Sequence, residues 1–155
     1  MSDTTTAPAA ADAATQAALE RLNTVIDRLI APDGCPWDST QTPESLTEYV
    51  IEECHELVDA IRSGKTADMV EELGDVAFLI LMIGKLMARA GGPSLADALE
   101  VEAAKMVRRH PHVFSDTTYE NQSEQLKDWD RIKREEKAAA DAEGPKGTYD
   151  SLPRG

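Results

Sequence analysis

Residues 52–75 read EECHELVDAIRSGKTADMVEELGD, with an acidic cluster at each end. Both clusters lie in segments whose apolar residues recur at the spacing of a buried helix face. Carboxylates in such a place repel one another and are costly to desolvate, so they require a positive partner. We predict that this partner is a divalent cation and that the cation holds a phosphate group.

The connection between the two clusters predicts how they meet. It is short and centred on Gly64, so the helices on either side should be antiparallel neighbours. Glu56 lies eight positions before Gly64 and Glu72 eight positions after it, while Glu53 and Asp75 lie eleven before and eleven after. Because a helix rises by about 1.5 Å per residue, the members of each pair should stand at matching heights.

Four carboxylates should therefore converge on one volume, since the i, i+3 spacing places both acids of each helix on one face. A single E-x-x-E pattern is more often a solvated helix face, but two clusters mirrored about one turn favour a binding site. Oxygen ligands without thiolates or paired histidines suit Mg²⁺, with Mn²⁺ as a substitute, better than Zn²⁺. The predicted metal ligands are Glu53, Glu56, Glu72 and Asp75.

The composition limits the partners of the chain. Its 155 residues suit one domain, and its net charge of −13 comes from 29 acidic and 16 basic residues. Nucleic acids and anionic membranes bind preferentially to basic surfaces, so neither is expected as a partner of this acidic chain. The longest apolar run, Val76–Ile83, is far shorter than the roughly 20 residues of a membrane helix. With only Cys35 and Cys54 and no signal-peptide pattern, we expect a soluble protein of the reducing cytoplasm.

Apolar periodicity and turn residues predict an all-α bundle of about five helices, built on the metal-binding hairpin. The third helix is apolar on every side over Val76–Ile83, so we expect a second subunit to cover it in a homodimer or homotetramer. The expected helices span about 19–30, 43–61 and 66–90, and two more begin near Ser94 and Ser123. We expect a disordered tail over 1–12, a single domain over 13–137 and a flexible tail over 138–155.

Several further short motifs, called blocks here, lie along the chain within and around the acidic clusters. Together with E-E-x-x-E and E-x-x-D, they cover roughly residues 20–137 and resemble the signature of the MazG-type nucleoside triphosphate pyrophosphohydrolases, part of the all-α NTP pyrophosphatase superfamily. The family often has His where Pro43 stands and an Ala-Tyr pair where Cys54-His55 stands, and neither difference removes a predicted ligand. The blocks are Cys35-Pro36-Trp37-Asp38, Gln41-Thr42, Glu72-Leu73-Gly74-Asp75, Lys105-Met106, Arg108-Arg109-His110-Pro111-His112-Val113-Phe114 and Trp129 with Ile132-Lys133.

The resemblance implies a reaction and a set of roles. Members of the family bind Mg²⁺ through these acids and hydrolyse a nucleoside triphosphate (NTP or dNTP) to the monophosphate and pyrophosphate, which implies nucleotide-pool house-cleaning. Glu53 is then both a metal ligand and a catalytic residue, and Glu52 is a catalytic base or an outer ligand. By the same resemblance, the residues that bind the nucleotide are Lys105, Arg109, Trp129 and Lys133.

Other interpretations of these patterns fit the sequence to different degrees. Glu52 and His55 form an E-x-x-H, but a di-iron site needs a second such motif, and His55 points to another face of the helix. His110 and His112 have no cysteine or third histidine nearby, which argues against zinc. A dUTP- or phosphoribosyl-ATP-specific pyrophosphohydrolase, or a non-catalytic helical metal-binding interaction module, would carry the same acids. Trp129 is as consistent with a core position as with a base-stacking platform.

Overall fold

The computed structural model describes residues 6–142, which form helices joined by short connections. A 3₁₀ turn, Asp38–Thr40, lies between the first two helices, and no β-strand occurs in this part of the chain. The all-α prediction is therefore confirmed. The helices are α1 (Thr6–Leu29), α2 (Thr47–Ser63), α3 (Thr66–Arg89), α4 (Leu95–Arg109), α5 (Pro111–Phe114) and α6 (Gln122–Ala142).

The chain divides into two compact units, Met1–Arg89 and Ala90–Gly155. The first unit contains α1, α2 and α3, and the second contains α4, α5 and α6. The single domain over 13–137 stays a prediction. None of the helices within residues 6–142 is long and apolar enough to cross a membrane.

In the first unit, α3 packs against both α1 and α2. Ile26 of α1, Leu46 and Met82 of α3 are fully buried, so the core joins the turn before α2 to the other two helices. The end of α3 is tied to the loop after α1 by Arg89, whose guanidinium donates hydrogen bonds to the carbonyl oxygens of Ile30 at 2.7 Å and Ser39 at 3.3 Å. This loop is therefore held against the bundle.

Two glycines permit the sharp turns of this unit. A Cβ atom on Gly34 would lie 2.3 Å from the Leu29 carbonyl oxygen, because the loop folds back closely over the end of α1. Gly64 ends α2 with a φ of 72°, a left-handed conformation that other residues adopt only at a cost. Only Gly64 and Lys65 separate α2 from α3, so the two helices form the predicted hairpin.

The second helix begins later than the sequence predicted. The Thr42 N–H donates to Ser45 Oγ at 3.0 Å, and the Ser45 N–H donates to Thr42 Oγ1 at 3.2 Å. This exchange closes a single turn over residues 43–46, and the helix begins at Thr47 rather than at Pro43. The Thr42 side chain therefore stabilises the turn before the helix rather than capping the helix itself.

The outer helices extend into both predicted tails. α1 begins at Thr6, within the segment 1–12 that we expected to be disordered, and α6 continues to Ala142, beyond the expected limit at 137. Both extensions are rich in alanine, the residue with the highest helix propensity, and Pro8 falls in the first turn, where proline is tolerated. The remaining parts of the tails, 1–5 and 143–155, lie outside the described residues.

In the second unit, α4 packs against α5 and α6. α4 begins next to Ser94, where the sequence predicted a helix start, and Ser94 and Asp97 form a capping box there. α4 ends at Arg109, shortly before Pro111, and Pro111 begins the single turn of α5.

Candidate metal centre

Three glutamates meet between α2 and α3. Glu53, Glu56 and Glu72 each offer a carboxylate oxygen, and these three oxygens all lie within 4.8 Å of one another. The i, i+3 spacing places the first two on one face of α2, and the turn at Gly64 returns the chain so that Glu72 of α3 faces them. The structure thus brings together three of the four predicted ligands.

Asp75, the fourth predicted ligand, lies outside this group of three and is exposed. Its negative charge nevertheless helps to raise the pKa of Glu53, which places it in the same electrostatic environment. Its role as a ligand stays a prediction.

Glu53 and Glu72 lie in an unfavourable electrostatic environment. Loss of hydration raises the pKa of Glu53, and the charges of Asp75, Glu56 and Glu52 raise it further. The pKa of Glu72 is also raised by lost hydration and then by the charges of Glu56 and Glu53. Within residues 6–142, no lysine, arginine or histidine forms an ion pair with any of the three glutamates.

This donor set suits a hard divalent cation. Clustered carboxylate oxygens are the ligands that Mg²⁺ and Mn²⁺ prefer, and a cation between them would replace repulsion by attraction. Glu53 and Glu72 are partly buried whereas Glu56 is exposed, so the group is open to solvent on one side. A metal held there could accept ligands from a substrate.

Glu52, the predicted base or outer ligand, is exposed and does not belong to the group of three. Its charge is one of the causes that raise the pKa of Glu53. It therefore lies at the edge of the centre, where its function stays a prediction.

Three of the four predicted nucleotide-binding residues lie together in the second unit. The Lys133 ammonium is 4.3 Å from the centroid of the Trp129 ring, and the Arg109 guanidinium carbon is 6.0 Å from it, distances typical of cation–π contacts. Lys105 instead forms an ion pair with Glu102 on its own helix. The structure therefore groups Arg109, Trp129 and Lys133 but pairs Lys105 with a neighbour on its own helix, and the role of all four in nucleotide binding stays a prediction.

Sequence reasoning missed Glu136, which holds the basic end of α4. Its carboxylate accepts hydrogen bonds from Arg109 Nε at 3.0 Å, from Arg109 Nη2 at 2.8 Å and from Arg108 Nε at 3.1 Å. These bonds hold the pKa of Glu136 below its ordinary value. A signal was present, because Glu136 lies three positions after Lys133 and seven after Trp129, on one stripe of α6.

Comparison with known proteins identifies the family of the chain. A family model described as the MazG nucleotide pyrophosphohydrolase domain matches residues 41–114, the segment that contains the three glutamates. Residues 41–114 are a MazG domain. The MazG match also includes α2, α3, α4 and α5, so it spans the hairpin and the basic end of α4.

Several curated MazG relatives align with most of this chain. The nucleoside triphosphate pyrophosphohydrolase of Escherichia coli K12 is 37% identical over 137 residues, which are 88% of this chain and 51% of that protein. The nucleoside triphosphate pyrophosphohydrolase/pyrophosphatase MazG of Thermotoga maritima is 39% identical over 118 residues, 76% of this chain and 45% of that one. The uncharacterized protein YabN of Bacillus subtilis is 40% identical over 130 residues, 84% of this chain and 26% of YabN. The chain thus spans about a quarter to a half of the length of these relatives.

A solved structure shares the MazG fold. The crystal structure of a mazG-related protein from Thermotoga maritima matches with a TM-score of 0.63 and 29% sequence identity. The match covers 74% of this chain and 98% of that one. The helical architecture described above is therefore the MazG fold.

Proposed function

We propose that this chain is a Mg²⁺-dependent nucleoside triphosphate pyrophosphohydrolase. It would hydrolyse NTPs or dNTPs at the α–β phosphoanhydride to a nucleoside monophosphate and pyrophosphate. The observation that carries the proposal is the convergence of Glu53, Glu56 and Glu72 within 4.8 Å, inside a MazG domain match. The names of the relatives from E. coli and T. maritima support the same substrate class.

The residues of the centre have separate tasks in this proposal. When bound, the metal would lower the pKa of a water molecule and offset the negative charge of the phosphate oxygens. Glu53, Glu56 and Glu72 hold the metal, and Asp75 completes the ligand set. Glu52 is exposed beside Glu53 and accepts a proton from the water that attacks the α-phosphorus. The bond from the α-phosphorus to the bridging oxygen breaks, and pyrophosphate leaves with that oxygen.

The second unit, considered by itself, carries cationic side chains around Trp129 of the kind that bind anions. We assign the binding of the nucleotide to Lys105, Arg109, Trp129 and Lys133, following the family resemblance. Glu136 is a positioning residue in this scheme, because two of its hydrogen bonds fix the guanidinium of Arg109. A chain with a net charge of −13 needs such a local basic group to bind a triphosphate.

We further propose that a second copy of the chain covers the apolar outer face of the hairpin, giving a homodimer or homotetramer. Val70, Leu73 and Ile80 share one stripe of α3 and are 68%, 59% and 47% exposed. Ile51 and Val58 form a similar exposed stripe on α2. Apolar stripes on neighbouring helices are the usual basis of a helix–helix interface.

The cellular role that fits the proposed reaction is house-cleaning of the nucleotide pool in the cytoplasm.

The experiment is a product analysis in ¹⁸O-labelled water with Mg²⁺ and a panel of NTPs, dNTPs, dUTP and phosphoribosyl-ATP. The proposal predicts equimolar nucleoside monophosphate and pyrophosphate, with the ¹⁸O label in the monophosphate because water attacks the α-phosphorus. Orthophosphate with a nucleoside diphosphate, or label in pyrophosphate, would overturn it. Turnover of dUTP or phosphoribosyl-ATP alone would instead select the corresponding specific enzyme, and binding of metal without any turnover would select the non-catalytic module.

A further inference from the structure

Two aromatic rings lie side by side on the surface of the first unit. The rings of Trp37 and Tyr49 have their centroids 5.6 Å apart and their planes at 90°. Trp37 is nevertheless 47% exposed and Tyr49 is 40% exposed. Large aromatic side chains contribute most to stability when they are buried, so an exposed aromatic pair indicates a ligand-binding surface.

The loop that carries Trp37 is well held. The Trp37 carbonyl oxygen accepts hydrogen bonds from Thr40 Oγ1 at 2.9 Å and from Gln41 Nε2 at 3.0 Å. The Ser39 N–H donates to the Cys35 carbonyl oxygen at 2.9 Å, and Arg89 ties Ser39 to α3. The ring is therefore exposed on an ordered support, which is the arrangement of a binding platform that needs little reorganisation.

The aromatic pair lies next to the metal centre within the same unit. Tyr49, Glu53 and Glu56 are separated by four and three positions on α2, so they share one stripe of the helix. Tyr49 lies about 6 Å along the helix axis from Glu53. A triphosphate held by a metal at the glutamates would have its nucleoside end within reach of Trp37 and Tyr49.

We propose that Trp37 and Tyr49 form the platform on which the nucleobase of the substrate stacks. This inference rests on the proposed function, since it assigns the base end of a nucleotide whose phosphates bind at the metal centre. Every nucleobase has a π-face, so stacking tolerates all four bases and predicts a broad substrate range. The ring of Trp129 is less accessible to a nucleobase, because Lys133 and Arg109 already lie over it.

Inhibition by the two products tests this assignment in turnover assays. Trp37→Ala is expected to raise the KM for ATP and the inhibition constant of AMP by about tenfold, with kcat and the inhibition constant of pyrophosphate unchanged. Trp37→Phe should restore most of the affinity, because a ring is retained. Phe114→Ala removes another exposed aromatic side chain and serves as the control, with no expected change. A KM for Trp37→Ala within twofold of the wild-type value would overturn the inference.

A binding assay separates this inference from the proposed function. The chain has two tryptophans, so the wild type is compared with Trp37→Phe, which keeps Trp129 intact. Titration of the wild type with AMP in Mg²⁺ should quench its fluorescence saturably and Trp37→Phe should lose most of that quenching, whereas ribose 5-phosphate, which has no base, should not quench the wild type. Equal responses to both, or no response to AMP, would overturn the platform even in an inactive protein. Quenching by AMP in a protein that releases no pyrophosphate would overturn only the proposed function. Circular dichroism melting checks that each variant is folded.

Discussion

Glu53 of α2 and Glu72 of α3 present carboxylate oxygens within 4.8 Å of one another across the turn at Gly64. Each has a raised pKa, with lost hydration as the largest cause and neighbouring carboxylates as the next. Two acids in this relationship destabilise the fold unless a cation or a proton lies between them. The stability and the activity of the protein should therefore depend on metal and on pH together.

Removal of the charge of one predicted metal ligand should make the stability of the fold nearly independent of Mg²⁺. Addition of Mg²⁺ to the wild-type chain at about 100 times its dissociation constant should stabilise the fold by about 2.7 kcal/mol, and a chelator should reverse the effect. Glu53→Gln should lose most of this stabilisation and about 100-fold or more in kcat/KM, equivalent to roughly 2.7 kcal/mol at the barrier. Thermal melts and pyrophosphate release measure the two effects.

Glu48→Gln is the matched control for this experiment. It makes the same change on an exposed position of α2 outside the group of three glutamates. Its response to Mg²⁺ should equal that of the wild type. If Glu53→Gln also responds normally, the ligand assignment is wrong.

The contribution of Glu53 and Glu72 to the stability of the metal-free protein should fall as the pH rises. The raised pKa values of Glu53 and Glu72 mean that the folded chain binds these protons more tightly than the unfolded chain. Their stabilising contribution is therefore complete below the ordinary value of 4.5 and disappears as the pH passes through the raised folded pKa. Glu72→Gln cannot ionise, so its melting temperature should exceed that of the wild type by a margin that grows from pH 4.5 to neutrality. Saturating Mg²⁺ should remove or reverse that margin, and a margin independent of pH would contradict the prediction.

Glu136→Gln should destabilise the second unit at neutral pH and have a smaller effect at acidic pH. The pKa of Glu136 is lowered, chiefly by its hydrogen bonds with Arg109, so it stabilises the fold above the ordinary value of 4.5 and loses that effect as the pH falls. At neutral pH the substitution should cost about 1–2 kcal/mol in chemical denaturation. Glu135→Gln, which breaks an exposed pair with Arg131, should cost about 0.5 kcal/mol or less. Equal costs for the two variants would show that partial burial does not strengthen the ion pair between Glu136 and Arg109.

Three Gly→Ala substitutions should have different effects. Gly64→Ala should lower the free energy of unfolding by about 1 kcal/mol, because Gly64 has a φ of 72°. Gly74→Ala should raise it by about 0.5–1 kcal/mol, since Gly74 lies within α3 and an added Cβ meets no atom within 4 Å. Gly34→Ala should be the most destabilising, because its Cβ would meet the Leu29 carbonyl oxygen at 2.3 Å. Urea unfolding curves of the three variants would measure this order.

Leu73→Asp should dissociate the proposed oligomer. A carboxylate in the middle of the exposed apolar stripe of α3 cannot be desolvated against a second copy without a large penalty. Sedimentation velocity should show the wild type as a dimer or tetramer and the variant as a monomer. Val113→Asp changes an exposed apolar residue of α5 and should leave the assembly intact. A wild-type monomer at micromolar concentration would contradict the proposal.

Much of the hairpin could be predicted from local spacing. The apolar period indicated the helices, and counting from Gly64 predicted that Glu53, Glu56 and Glu72 face one another. Asp75 was predicted to join them because spacing gives its height along the helix, but it lies outside the group of three, and its role as a ligand stays a prediction. The start of α2 was predicted too early, since Thr42 and Ser45 bond to each other rather than cap the helix.

The sequence by itself determined the all-α class, the hairpin about Gly64 and the family, because each depends on residue types at fixed short separations. Only the tertiary structure decided which distant side chains meet. The contact of Trp37 with Tyr49 and the bonds from Glu136 to Arg109 join separate segments of the chain. Such contacts depend on the path of a loop and the rotation of a packed helix, which are fixed by the whole core rather than by local periodicity.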